Sequence, residues 1–462
     1  MSPQVKITIK EIVLFERDVT LRMPFRFGIV TLREAPQLFV KVTIEAEDGR
    51  VGEGFSAEVL APKWFDKNPN LSNQENFEQL RVAVRKASKL YSGESAKTPF
   101  QHFAENYDSQ MSVAEDQLLV ASFGQAILDR AILDAYCRLL GVSFFTAIRE
   151  NKVGLVPHPI IPDLNDTDIQ GILAQLTPSK MLEARHTVGL VDPLDTNLEP
   201  VADGLPETLE QVIETYGHRY FKIKVNGDQE ADIARLKAIS KILDHCCDDY
   251  KVTLDGNEQF RDADHFLKFY EKMASNDALR SFSSKILYLE QPIARATALS
   301  KDISAISSRC PVIIDESDSS LDAFPRAVEL GYRGVSTKSC KGFYKSLINF
   351  ARCVKMGPNY FLSAEDLTMQ AGVGVQQDLA LVSLLGLKHV ERNGHHYVDG
   401  FHGASKEEQQ RFLIAHPSLY HEQDGVVRLR IEAGKLDISS LDCIGFATDA
   451  VPDLSEMRSV AL

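Results

Sequence analysis

The chain has 462 residues, with 51 Lys+Arg against 65 Asp+Glu and a formal net charge of −14. An acidic chain with no Lys/Arg cluster is a poor match for a phosphate backbone, which argues against nucleic-acid binding. Hydrophobic residues make up 44% and charged residues 25%, an ordinary globular balance, and no apolar run approaches the ~18–20 residues of a membrane-spanning helix.

The length exceeds the ~250–300 residues at which a single core stops growing, so one large domain and a smaller one are expected. The start, MSPQVKITIK, lacks the charged-then-apolar pattern of a secretory signal. Seven scattered cysteines with no C-x-x-C predict no disulfide framework and a cytoplasmic location.

Residues 5–56 read as strands, with β-branched alternation broken by Asp-Gly and Gly-Phe turns. Residues 74–140 read as helices, the last running from Val113 to Leu140 with Gly141 as its C-cap. Residues 1–145 are therefore expected to form an α+β unit. From about 184, eight apolar strands alternate with amphipathic helices, near 184–191, 220–225, 251–255, 286–290, 312–315, 334–338, 360–364 and 387–391. Steps of roughly 25–35 residues predict a closed (β/α) barrel over 146–400. The stretch 150–206 reads as loop. AGVGVQQD (371–378) reads as a closely packed helix start, not a dinucleotide motif. In the tail, 401–462, the one convincing strand is VVRLRIEAG (426–434), expected to pack back on the N-terminal unit.

Five consecutive barrel strands end in ionisable groups: Lys222 and Lys224, then Asp255, Glu290, Asp315 and Lys338. Parallel neighbours would gather these charges at the C-terminal mouth, where barrel active sites sit. Three crowded carboxylates need a countercharge, and a hard divalent cation with oxygen ligands, Mg²⁺, suits them best. The cation and a neighbouring lysine both push a lysine pKa down. A fall from ~10.4 to ~7–8 corresponds to roughly 3–4 kcal/mol and makes a general base. A metal between two lysines suits removal of the proton next to a carboxylate and stabilisation of the resulting enediolate.

Each group alone is more often a loop cap or ion-pair partner; the set of five at successive strand ends carries the reading. Asn257 is a polar loop residue able to support the site, and Glu316 is the alternative third ligand. Glu391, ending the eighth strand, could meet the substrate. Lys341 reads as a structural or substrate contact and Cys340 as a buried small hydrophobe. His389, His395 and His396 read as satisfied loop or barrel-end histidines, because no H-x-x-x-H pairing supports a metal.

With KIK (222–224), DGNEQF (255–260), YLEQP (288–292), IIDES (313–317) and TKSCKG (337–342) in this order, the chain resembles the enolase superfamily, and within it the muconate-lactonizing-enzyme-like branch. The resemblance implies a modified TIM (β/α)7β barrel with an N-terminal α+β capping domain completed by the C-terminal tail. It implies Asp255, Glu290 and Asp315 as Mg²⁺ ligands, Lys224 as base, Lys222 as its electrostatic partner and Lys338 as the opposing acid/base. It also implies that loops near Pro24–Gly28 and Gly54–Ser56 shape the pocket, with Arg26 gripping an anionic substrate group, and that the barrel forms a homo-oligomer. The eighth strand has His389-Val390-Glu391 where dipeptide epimerases of the branch have Asp-x-Asp, and no His–Asp dyad of mandelate-racemase type is present.

The expected function is racemisation or epimerisation of a small carboxylate, amino-acid-derived or otherwise. Cycloisomerisation and β-elimination, as in o-succinylbenzoate synthesis or acid-sugar dehydration, are alternatives sharing the enolate step. A Schiff-base barrel lyase would also use a lysine, but needs no three carboxylates beside it. A non-catalytic metal-binding barrel would not need the lysines.

Overall fold

Alternating apolar residues build an antiparallel meander from β1 (Ile7–Phe27), β2 (Val30–Ala46) and β3 (Val51–Val59). Ile7 and Ile9 are buried, and then Ile12 and Leu14. The change of parity falls at a register shift between Ile9 and Glu11, as an inserted residue in one strand requires. The computed structural model describes residues 4–28, 30–114, 116–196 and 199–462.

Helices Asn73–Tyr91 and Leu118–Leu140 pack with this sheet around a shared apolar core, while Pro99–Met111 packs on both helices and sends Phe100, Phe103 and Ala104 into the core shared with the barrel. Capping boxes, Ser72 with Glu75 and Thr98 with Gln101, start the first two. The third ends at Gly141 in the left-handed conformation, as expected. It begins at Leu118 rather than Val113, because Ser112–Ala114 form a separate tight turn. Gly54 on β3 lets this helix sit against the strand. A Cβ there would lie 2.1 Å from the Ala135 nitrogen and 2.4 Å from the Ala131 oxygen.

The second sheet holds β4 (Met181–Val188), β5 (Tyr220–Lys224), β6 (Lys251–Asp255), β7 (Ile286–Glu290), β8 (Val312–Ile314), β9 (Gly334–Thr337), β10 (Phe361–Ala364) and β11 (His389–Arg392). All eight fall where the sequence predicts them. Each from β4 to β9 pairs in parallel with the next, and β11 returns to pair in parallel with β4, curling the sheet into an α/β barrel whose two end strands, β10 and β11, are not laddered to each other. Helix Val373–Leu384 starts in AGVGVQQD, and a Cβ at Gly374 would stand 2.7 Å from the Ala57 oxygen of β3. The glycine is thus a point of close approach between barrel and meander.

The tail departs from expectation. Residues 426–429 form β13 in a hairpin with β12 (Tyr420–Gln423), while β14 (Lys435–Asp437) pairs antiparallel with β4. The piece that joins the N-terminal sheet is β15 (Arg458–Val460), laddered to Leu14–Glu16 of β1. VVRLRIEAG has strand composition, but its nearest partner in sequence, Tyr420–Gln423, captures it first. All seven cysteines are free. Among the described residues, no helix is long and apolar enough to cross a membrane.

Gly54→Ala should destabilise the fold by about 1–3 kcal/mol, the usual cost of overpacking a close contact. Urea denaturation checks this as a lowered midpoint at unchanged slope.

Candidate active site

Short strands whose residues alternate between two faces bring the charged groups together. Lys222 and Lys224 share one face of β5. The Lys224 Nζ donates to Asp255 Oδ2 at 2.6 Å. Lys222 Nζ lies 3.0 Å from Asp255 Oδ2, 2.8 Å from Glu290 Oε2, 2.8 Å from Glu365 Oε2 and 3.0 Å from Glu391 Oε2. On the far side, Lys338 Nζ donates to Asp315 Oδ2 at 2.6 Å and lies 4.3 Å from the centre of the Trp64 ring. All these ionisable groups are buried.

Two members of this ring escaped sequence reading. Glu365 follows β10 and also accepts from Arg185 Nη2 at 2.6 Å and the Tyr288 hydroxyl at 3.0 Å. Arg185 belongs to β4, and its neighbour two positions on, Thr187, donates to Glu391 Oε1 at 2.6 Å. The signal was present as a charged residue inside each apolar strand or at its end. With these additions all eight strands contribute a polar group to one mouth.

The electrostatics differ from the lowered lysine pKa expected. Burial opposes the charge on Lys222 and Lys338, but the carboxylates outweigh it, and both amines are pushed up. Burial raises Asp255 and Asp315, yet the facing lysines bring both below the usual carboxylate range. Glu290 goes the other way: burial first, then Asp255 and Glu365, push it well up. The difference arises because Lys222 and Lys338 are paired directly with the acids.

Asn257 sits where expected. Its Nδ2 donates to Glu316 Oε1 at 3.2 Å, and its backbone N–H donates to Asp255 Oδ1 at 2.8 Å. A regular strand would turn Glu316 away from Asp315. The strand ends at Ile314, so alternation no longer applies, and Glu316 is buried beside Asn257. Lys341 ties loops, donating to Ser336 Oγ at 2.8 Å and pairing with Asp318 at 3.0 Å. Cys340 is buried.

The donor set suits a hard cation. Asp255, Glu290, Asp315, Glu316 and Asn257 offer only oxygens at this mouth apart from the Asn257 amide nitrogen. Glu316 Oε2 and Asn257 Oδ1 are buried with no hydrogen-bond donor, and Glu290 Oε2 meets only the Lys222 ammonium, outside hydrogen-bond geometry.

A small cavity opens on these groups. Lys222, Lys224, Asn257, Lys338 and Glu391 line it from the barrel; Phe25, Phe27, Leu32, Ala61 and Trp64 line it from the N-terminal unit. Arg26 does not. It is exposed between Phe25 and Phe27, whose alternation on β1 turns it outward. Residues 54–56 do not line the cavity either: Gly54 packs on helix Leu118–Leu140, and Ser56 Oγ donates to the Ile127 carbonyl. Ala61 and Trp64, just beyond β3, take that place.

A parallel α/β barrel with ionisable groups at its strand ends is the scaffold of a barrel enzyme. Residues 204–396 match the family model described as Enolase C-terminal domain-like. It is similar to the o-succinylbenzoate synthase of Geobacillus kaustophilus, at 21% identity over 383 residues, 82% of each chain. Its fold is similar to that of a dipeptide epimerase from Enterococcus faecalis complexed with Mg and the dipeptide L-Leu-L-Tyr, with a TM-score of 0.62 at 16% identity over 95% of this chain and 99% of that one. An enolase from Bradyrhizobium complexed with magnesium and mandelic acid superposes with a TM-score of 0.63 at 14% identity, covering 99% of this chain and 98% of that one.

Glu365→Gln should cost about 3–5 kcal/mol in denaturant unfolding, because it takes one charge from Lys222 and Arg185 together in a buried setting. An effect below about 1 kcal/mol would mean that the two cations are satisfied without it.

Proposed function

We propose that this enzyme removes the proton α to the carboxylate of a small acid, with Mg²⁺ as cofactor, and that it returns a proton to the opposite face as a racemase or epimerase. The observation that carries the reading is the placement of two buried amines, Lys224 and Lys338, on one cavity, each paired with a different carboxylate. Asp255, Glu290 and Asp315 are the proposed ligands, with Glu316 the alternative to Asp315. When bound, Mg²⁺ supplies the fixed positive charge that favours the enediolate over the parent acid.

The chain's own groups supply the rest. Lys224 takes the α-proton. Lys222, ringed by the carboxyl groups of four residues, is held charged and keeps Asp255, the partner of Lys224, in place. Asp315 holds Lys338 protonated, which fits a proton donor on the far face. Asn257 holds Asp255 and Glu316 in place. Glu391 and Asn393 offer polar contacts to the substrate, while Phe25, Phe27, Leu32 and Trp64 exclude water and cover its apolar part. In this reading residues 1–145 cap the barrel of 146–400, with 401–462 completing the cap. Arg26 has no role in it.

β-Elimination is a second reading, favoured by the similarity to an o-succinylbenzoate synthase along most of the chain. It shares the first step, but Lys338 would then serve the departing group.

Incubation with a panel of chiral α-substituted carboxylates in deuterated water with Mg²⁺ tests the common step. Deuterium should enter the α-position, and Lys224→Ala should slow entry from one enantiomer by about 10²–10⁴-fold while Lys338→Ala slows it from the other. Elimination would show as an unsaturated product. Absence of exchange from every acid tried would sink the proposal. Asp255→Asn should weaken Mg²⁺ binding, measured by calorimetry, by at least about tenfold.

A further inference from the structure

A second cluster of metal-ligating side chains lies outside the barrel mouth. On β4, Arg185 and Thr187 send their side chains into the charged ring, so His186 between them faces the other way. His218 stands between helix Leu209–Tyr216 and β5, and His395 lies in the short helix Gly394–Tyr397 that follows β11. Their ring centroids are 5.3 Å apart for His186 and His218, 5.8 Å for His186 and His395, and 5.5 Å for His218 and His395. One nitrogen from each ring lies within 4.8 Å of the other two.

These rings lack the partners that buried imidazoles ordinarily find. His186 Nδ1, His218 Nε2 and both nitrogens of His395 have no hydrogen bond. His218 Nδ1 lies 3.0 Å from the Ala184 carbonyl oxygen, a contact that needs the proton on Nδ1 and leaves the Nε2 lone pair free. A backbone carbonyl behind a ligating histidine is the usual way of fixing this tautomer. The nearby cations are already neutralised. Arg22 pairs with Asp203 at 2.7 Å, and Arg392 pairs with Asp378. The expectation that His395 is a satisfied loop histidine is therefore corrected.

We infer that His186, His218 and His395 form a tris-histidine site for a borderline transition-metal dication such as Zn²⁺, with its fourth position open to the adjoining cleft. Imidazole nitrogen suits Zn²⁺, whereas the all-oxygen mouth suits Mg²⁺, so the two sites select different ions. Tetrahedral bonds of about 2.0–2.1 Å need nitrogens roughly 3.4 Å apart, so the rings close by at most roughly 1.4 Å on binding. His395 is half-buried and lines a cleft of about 980 Å³ together with Tyr216, Arg428 and Glu432, which gives the ion an entry path. The ion ties β4, the approach to β5 and the segment after β11, at the seam where the first and last barrel strands pair. The inference does not depend on the reaction proposed above.

Co²⁺ is the spectroscopic probe, added to the full chain with Mg²⁺ saturating. About one Co²⁺ per chain should bind, with the visible bands of a tetrahedral ion, and Zn²⁺ should displace it. His395→Ala should weaken binding by about 100-fold, and Asp255→Asn should leave the bands unchanged. His395→Cys should retain the ion and add a thiolate-to-cobalt charge-transfer band, which keeps the test sound if the alanine variant does not fold. No tetrahedral band up to about 1 mM Co²⁺, bands lost with Asp255→Asn, or bands untouched by either His395 variant would overturn the inference.

Discussion

One ammonium group organises the barrel mouth. Lys222 Nζ has three protons to give, and carboxylates of four residues, Asp255, Glu290, Glu365 and Glu391, lie around it. In a buried, low-dielectric setting that shortage cannot be made up by solvent. Glu290 bears the consequence and is pushed toward its neutral form. The carboxylates on one side thus ask for more positive charge than the lysines provide. A bound divalent cation answers that demand, and this is the physical link between a purely structural feature and the proposed chemistry.

The same constraint explains the division of labour between sheets. The barrel strands end in charges and can offer a substrate only polar walls. The apolar cover has to come from elsewhere, and Phe25, Phe27, Leu32 and Trp64 provide it from the N-terminal unit. Trp64 also lies against the Lys338 amine, so one side chain both lines the cavity and makes a cation–π contact with a buried ammonium.

The barrel was legible because each strand is a short apolar run with a charged terminus, separated by amphipathic helices of the right length. Lys222, Lys224, Asp255, Glu290, Asp315 and Lys338 could be read from strand ends alone, and the structure brings them together. Glu365 was harder to see because β10 ends one residue before it, and Arg185 because it lies within the strand. Arg26 was misplaced for a simple reason. Its segment is an alternating strand, where the aromatic neighbours, not the arginine, turn inward. The histidine cluster could not be found by spacing, since its members lie on three distant segments with no local pattern. The tail was misread because strand composition says nothing about which partner a strand takes.

The N-terminal sheet has its own dependence on the far end of the chain. Residues 458–460 cover the edge of β1, and Arg458 pairs with Glu16 and Asp18 there. During synthesis the meander emerges first, with that edge bare, and the segment that shields it is made only after the whole barrel. The nascent chain therefore carries an unprotected strand until the barrel has been made. Closure of that edge waits on a segment that follows the barrel, so a ribosome that stalls between the two would leave a finished barrel beside an exposed, aggregation-prone sheet.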